Sequence, residues 1–238
     1  MRFVCLCPTY GRRPDLIANA VWQFQRQTHR DAVLLFIDDL GTIDTSDCYL
    51  VGMSWRWSQD DRVRVMSLGE RSPSLPSKYL DGWLLAGNDF DAVAVWDDDD
   101  LYLPMHLEYH AMALRSSRFS KPSKVLSTYS GSPVIEDASG RFWGSCAMSW
   151  NIFADGLSMS DACRYDQESI GNFTRYGVAD TCDFGPPQYI YRWGETQSAH
   201  ASGYGTSDWY TAAVPQHREK FSLSSAPDAA CLRWYPVS

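Results

Sequence analysis

Two short apolar runs in this chain stop abruptly on carboxylates. Ala32 to Ile37 (AVLLFI) ends in Asp38-Asp39-Leu40-Gly41, and Val93 to Trp96 (VAVW) ends in Asp97, Asp98, Asp99 and Asp100. Runs of this length and β-branched content suit strands buried in a parallel sheet. Open α/β sheets bind ligands beyond the carboxyl ends of their strands. Two acidic strand ends at one sheet edge therefore constrain both the fold and the place of its chemistry. Adjacent carboxylates repel one another, which raises their proton affinity unless a cation compensates. Oxygen-only ligands suit a hard ion such as Mg²⁺ or Mn²⁺. Alternation along an extended strand puts Asp97 and Asp99 on one side and Asp98 on the other, so Asp97-x-Asp99 is the expected metal pair. A solvated acidic turn is the plain alternative, and the position at the end of a core strand argues against it.

The elements around these runs read as strand-helix-strand units. Phe3 to Cys7 forms a first strand, and Pro8 to Asp15 a turn whose Pro14 can open a helix. Leu16, Ile17, Ala20, Val21 and Phe24 recur at helical spacing before the Ala32 strand. This order is the signature of a right-handed parallel crossover. Val63 to Met66 gives a short strand and Gly69 to Ser77 a loop. Lys78 to Ala86 gives a helix with Leu80, Trp83 and Leu84 in phase, and Pro104 to Leu114 another with Leu107, Ala111 and Leu114 on one face. After about residue 120 the apolar runs shorten and turn residues multiply, as in antiparallel strands and loops. Asp166 to Tyr176 is expected as a helix with Ile170 and Phe173 inward and Gly177 as its stop. Tyr189 to Trp193 is expected as a last strand, and the Gly-, Ser- and Tyr-rich end from Glu195 as a flap.

With 238 residues, 45% of them hydrophobic, the chain suits one domain with a sizeable core. The net charge of −8 argues against a broad nucleic-acid-binding surface. Seven scattered cysteines read as reduced thiols of a cytoplasmic protein. No apolar run approaches membrane-spanning length, and the first residues start a strand rather than a signal peptide.

PTYGRRPDL at 8–16, FIDDLG at 36–41 and VWDDDDLYLPMHLE at 95–108, in this order and spacing, resemble family 2 glycosyltransferases of the GT-A fold. The resemblance covers roughly residues 2–115 strongly. It implies a single GT-A domain over 1–238: a mainly parallel α/β sheet with a nucleotide-sugar-binding half at 1–115, and a smaller mixed or antiparallel acceptor-side half at 116–238. It implies Thr9, Tyr10 and Arg12 beside the nucleoside of a UDP-sugar, Asp39 on the uracil or ribose, and Lys78 beside the donor. Asp97 and Asp99 become the DxD pair that holds Mn²⁺ or Mg²⁺, with Asp97 also a donor contact. An inverting base is expected in Tyr165-Asp166-Gln167-Glu168, with Asp166 first and Glu168 and Asp161 as substitutes. The segment YIYRWGETQSAH is similar to the C-terminal part of related enzymes in which a His, here His200, completes the metal site. Leu40 after the two acids and GRRP in place of Asn-Arg-Pro depart from the family pattern. Gln188 to Trp193 is one residue too long for the Gln-x-x-Arg-Trp of processive synthases, and no membrane helix accompanies it.

The acceptor is expected to be a hydroxyl of a saccharide or glycan. The aromatics of the second half also suit a flipped hydroxymethylated pyrimidine in DNA, the acceptor of virus-encoded base-modifying enzymes, against which the acidic balance weighs. A nucleotidyltransferase is the alternative enzyme class, but Gly11-Arg12-Arg13 is poor in the glycine that its phosphate loop needs. A non-catalytic nucleotide or sugar binder is the third reading, and it would need no base. Neither the sugar nor the oligomeric state is written in these motifs.

Overall fold

The computed structural model describes residues 1–9, 14–39, 43, 60–129, 132–160 and 164–193 and the short strand at 224–225. In chain order the elements are β1 (Phe3–Thr9), α1 (Pro14–Gln25), β2 (Ala32–Asp38), β3 (Val63–Ser67), α2 (Leu75–Ala86), β4 (Ala92–Val95), β5 (Leu101–Tyr102) and α3 (His106–Ala113). There follow β6 (Phe119–Lys121), β7 (Lys124–Tyr129), β8 (Ser132–Asp137), β9 (Ala147–Ser149), α4 (Phe153–Gly156), α5 (Tyr165–Thr174), β10 (Val178–Asp180), β11 (Tyr189–Trp193) and β12 (Ser224–Ser225).

Seven strands form the main sheet in the order β10-β6-β9-β4-β1-β2-β3. β1 pairs in parallel with β2 and β4, and β2 in parallel with β3. The chain therefore winds outward from β1 through β2 to β3, then returns to the other side of β1 with β4. That reversal is the topological switch point at which such sheets open a ligand crevice. Pairing of β1 with β4 stops at Leu6↔Val95, whereas pairing with β2 continues to Thr9↔Asp38. Pro8 has no N–H to extend a ladder, so the two strands part just where the acids begin.

Strand alternation splits the core into two layers. Phe3, Cys5 and Cys7 pack with Ile17, Val21 and Phe24 of α1, while Val4 and Leu6 pack with Tyr79 of α2 and with Phe153, Ile170 and Phe173 of α4 and α5. Cys5, Cys7, Cys146 and Cys182 are free thiols. The three strands β6, β9 and β10 extend the sheet beyond β4, with β9 antiparallel to both β4 and β6. A second sheet, β12-β8-β7-β11-β5, is mixed rather than wholly antiparallel, because β11 runs parallel to β7.

α2 departs from the periodic reading. It starts at Leu75, three residues early, capped by Ser74 accepting the N–H of Ser77 at 3.2 Å, with Pro76 tolerated in the first turn. Its buried face is Pro76, Lys78, Tyr79 and Gly82, while Leu84 and Leu85 are 60% and 61% exposed. The helix lies so close to the sheet that a Cβ on Gly82 would stand 2.2 Å from Ile37 Cδ1. Close approach sets this face toward the sheet, so Leu80 and Trp83 of the expected stripe pack at its margin and Leu84 is left exposed.

Candidate active site at the carboxyl edge of the sheet

β4 ends at Val95, and Asp97 to Asp100 lie in a turn between β4 of the first sheet and β5 of the second. Strand alternation therefore does not govern the acids. Asp97, Asp98 and Asp100 are placed by hydroxyl and backbone contacts instead. Trp96 is buried and stacks on Tyr102 at 3.9 Å, which pins both ends of the turn. The Tyr102 hydroxyl accepts the N–H of Asp97 at 2.6 Å. Tyr79 donates to Asp97 Oδ1 at 2.7 Å, Thr9 donates to Asp98 Oδ2 at 2.8 Å, and Tyr189 donates to Asp100 Oδ2. Asp98, Asp99 and Asp100 are 2%, 5% and 3% exposed. Burial, then the charge of Asp97 or Asp100, pushes the phenols of Tyr79, Tyr102 and Tyr189 well above their ordinary range. They remain neutral donors at any working pH.

Two buried glutamines, Gln23 of α1 and Gln27 just beyond its end, secure the segment from the other side. Gln23 accepts the N–H of Tyr102 at 2.6 Å and donates to the Asp100 carbonyl at 3.3 Å. Gln27 accepts the N–H of Leu107 at 3.1 Å and donates to the Leu103 carbonyl at 3.0 Å. Residues 142–145 close over the turn. Phe142 adopts a left-handed conformation (φ 63°) and leads into a single 3-10 turn, Trp143–Ser145. This brings Gly144 so near that a Cβ there would lie 2.5 Å from Asp97 Oδ2 and 3.2 Å from Asp100 Oδ2.

Thr9, Asp39 and Lys78 meet at the adjoining ends of β1 and β2. Lys78 Nζ donates to Asp39 Oδ1 at 2.8 Å and to the Thr9 carbonyl at 2.5 Å, with the lysine and aspartate side chains 3% and 1% exposed. Ser72 N–H donates to Asp39 Oδ2 at 3.2 Å. Thr9 thus links the Lys78–Asp39 pair to Asp98 across the switch point.

Asp166 is in the first turn of α5 but does not cap it. The N-cap is Arg164, and Asp166 Oδ1 accepts the N–H of its neighbour Gln167 at 2.7 Å. Burial raises its proton affinity above the usual carboxylate range, partly offset by backbone N–H bonds. The adjacent Tyr165 is buried, and its ring meets Trp143 edge-on at 6.5 Å. Glu168 is fully exposed and accepts from Ser158 Oγ at 2.8 Å, which turns it away from the acids. Tyr10, Arg12, Asp161 and His200 lie outside the described residues.

Tyr79, Tyr102, Gln23 and Gly144 escape the motif reading as site residues, and Tyr189 appears there only as the start of the last strand. The signal available was composition at buried positions: tyrosine where phenylalanine would pack as well implies a partner for the hydroxyl.

No family model matches the chain, and no curated protein matches it. Solved structures do. A crystal structure of S. aureus TarS 1-349 aligns with TM-score 0.62 and 14% identity over 81% of this chain and 60% of that one. The same protein in complex with UDP-GlcNAc aligns with TM-score 0.63 and 13% identity over 91% of this chain and 65% of that one. Its UDP complex aligns with TM-score 0.62 and 14% identity. The fold is that of the GT-A-like glycosyltransferases. This chain spans 60–65% of the length of those TarS 1-349 structures. Among the described residues no helix is long and apolar enough to cross a membrane.

Proposed function

We propose that this chain is a divalent-metal-dependent, inverting glycosyltransferase that moves a hexose from UDP to a hydroxyl acceptor. The observation that carries the reading is a carboxylate turn at the switch point of a GT-A-like sheet, with Asp98, Asp99 and Asp100 buried there. The TarS structures with UDP and UDP-GlcNAc support the choice of donor.

Among the described residues no three His, Cys, Asp or Glu side chains form a ready-made metal cage. The donor set nevertheless fits Mg²⁺ or Mn²⁺ arriving with the donor, since such ions are bound by one or two carboxylates together with substrate phosphates. Asp97 and Asp99 would hold it, with Asp100 Oδ2 beside Asp97 at Gly144 and His200 as a further ligand. When bound, the ion would neutralise charge on the departing diphosphate. Thr9 and the Lys78–Asp39 pair form the floor beneath the nucleoside. Asp166 accepts the proton of the acceptor hydroxyl as that oxygen bonds to the anomeric carbon. The bond from that carbon to the diphosphate breaks, UDP leaves, and configuration inverts. A base whose proton affinity is raised toward neutrality is matched to this task.

The acceptor is a saccharide hydroxyl or a hydroxymethylated pyrimidine in DNA, and the test includes both. With UDP-hexose, Mn²⁺ and an acceptor panel, Asp166→Asn should abolish transfer while leaving UDP affinity within about twofold, because only the proton-accepting oxygen is lost. Transfer retained by Asp166→Asn would contradict the assignment.

A further inference from the structure

Phe142 is the one non-glycine residue with positive φ among the described residues (φ 63°, ψ 69°). A bulky side chain in this left-handed region is strained, and the conformation persists only where the surroundings impose it. Here they do so from both sides. After Phe142, its carbonyl accepts the N–H of Ser145 at 3.0 Å and the Ser145 hydroxyl at 2.7 Å. Before it, Arg141 N–H donates to the Ala138 carbonyl at 3.1 Å, and Lys121 Nζ donates to the same carbonyl at 2.6 Å. The Arg141 side chain then turns back over the strained residue. Its Cζ stands 4.4 Å from the centroid of the Phe142 ring, and its Nη2 donates to Glu136 Oε2. The other oxygen of Glu136 accepts the hydroxyl of Ser127.

The Glu136 and Arg141 side chains are 0% and 12% exposed. Replacing a buried ion pair by apolar side chains of similar volume is often neutral or stabilising, so stability alone does not account for charge at this place. Its location does. Glu136 lies on β8 and Ser127 on β7, in the same sheet as β11, whose Tyr189 holds Asp100, and β5, which follows the acid turn. One sheet therefore anchors both the acid turn and the segment that closes over it. At their contact a Cβ on Gly144 would stand 2.5 Å from Asp97 Oδ2 and 3.2 Å from Asp100 Oδ2, and the Gly144 carbonyl accepts the Tyr102 hydroxyl at 3.3 Å. With so little clearance, a backbone shift at Phe142 reaches two carboxylates.

We propose that Arg141 is a positioning residue of the active site. Clamped by Glu136, its guanidinium holds Phe142 in the left-handed conformation, which seats Gly144 against Asp97 and Asp100 and so fixes these carboxylates for a metal-bound diphosphate. This rests on the function proposed above. The role needs no contact of Arg141 with donor or ion, because it acts through Phe142.

The test uses the full chain carrying Glu136→Gln and Arg141→Gln together, which leaves no unpaired charge buried. Mn²⁺ is titrated into the wild type and the double variant at a fixed excess of UDP, with the melting temperature as the readout. The wild type should show a rise that saturates with Mn²⁺. The half-saturating Mn²⁺ concentration should be about tenfold or more higher in the double variant, the range for residues that support the ligands of a metal site. Arg141→Lys keeps a cation beside Glu136 but not the planar group over Phe142, so it should fold even where the double variant does not, and its half-saturating concentration should also rise. In a Phe142→Gly background, where the left-handed conformation needs no clamp, the double substitution should change that concentration by less than about twofold. An unchanged half-saturating concentration in the double variant and in Arg141→Lys, whatever their melting temperatures without ligand, would mark the pair as structural only and overturn the assignment. The full effect persisting in the Phe142→Gly background would overturn it as well. A wild type with no Mn²⁺-dependent rise in UDP would instead overturn the proposed function, and the role of Arg141 with it.

Discussion

A Cβ at residue 144 would stand 2.5 Å from Asp97 Oδ2 and 2.9 Å from the Tyr189 hydroxyl. Asp97 is a short side chain already held at its other oxygen by Tyr79, so it has little room to yield. Gly144→Ala should therefore displace the carboxylate and lower kcat/KM about 10²-fold with a UDP-hexose donor, the penalty for misplacing a reacting group by about 1 Å. A steady-state assay showing an unaltered rate would count against Asp97 as a metal-site ligand. Lys78 makes a different kind of prediction. Its pair with Asp39 is buried on both sides, and removing one partner of such a pair costs about 3–5 kcal/mol. Urea unfolding of Lys78→Met should show a loss of that size. Asp166 governs pH: its raised proton affinity means that the rate should climb with pH through a value above the ordinary carboxylate range. Activity already full at pH 4 would contradict its role as base.

The elements show what periodicity reveals and what it hides. α1 was legible because Leu16, Ile17, Ala20, Val21 and Phe24 form an apolar stripe, and all five are buried. The same stripe conceals Gln23 and Gln27, whose buried amides satisfy the backbone between Asp100 and Leu107. A pattern reading counts such residues as polar and sends them outward. Gln23→Leu should keep the packing volume but strand the Tyr102 N–H and the Asp100 carbonyl, at a cost of about 1–3 kcal/mol in urea unfolding. The α2 stripe was legible in part: Leu80 and Trp83 pack against the core, but Leu84 is exposed, because close approach at Gly82 fixed which face meets the sheet. The acid motif was legible as chemistry and less so as geometry. Its strand stops one residue before the apolar run does, and side-chain hydroxyls from α2, β1 and β11 orient the carboxylates. Contacts between residues 89 apart, such as Thr9 with Asp98, leave no local signal.

At the scale of the whole molecule, strands from both halves of the chain build the main sheet, and β5 with β11 fastens the acid turn to the second sheet. Beneath that junction lies a buried imidazole pair, His106 and His110, with ring centroids 4.6 Å apart. Burial lowers both, His106 well below its usual value and His110 to about 3. In the unfolded chain each takes up a proton near pH 6.5, while the fold keeps both neutral. Stability is therefore complete above that pH and falls as pH drops toward the folded values, by about 1.4 kcal/mol per pH unit for each histidine. Urea unfolding between pH 7 and pH 4 should show this slope, and His106→Leu should reduce it.

The central claim is that the carboxyl edge of the sheet holds UDP together with a divalent ion. It is tested most directly by the melting temperature of the wild-type protein with UDP, GDP, dTDP and CMP, each with and without Mn²⁺. Ligand at about a hundredfold its Kd adds about 2.7 kcal/mol to the folded state. A rise with UDP that requires Mn²⁺ and is lost in Asp97→Asn is the result expected. No rise with any nucleotide, or a UDP shift indifferent to both Mn²⁺ and Asp97, would contradict the account.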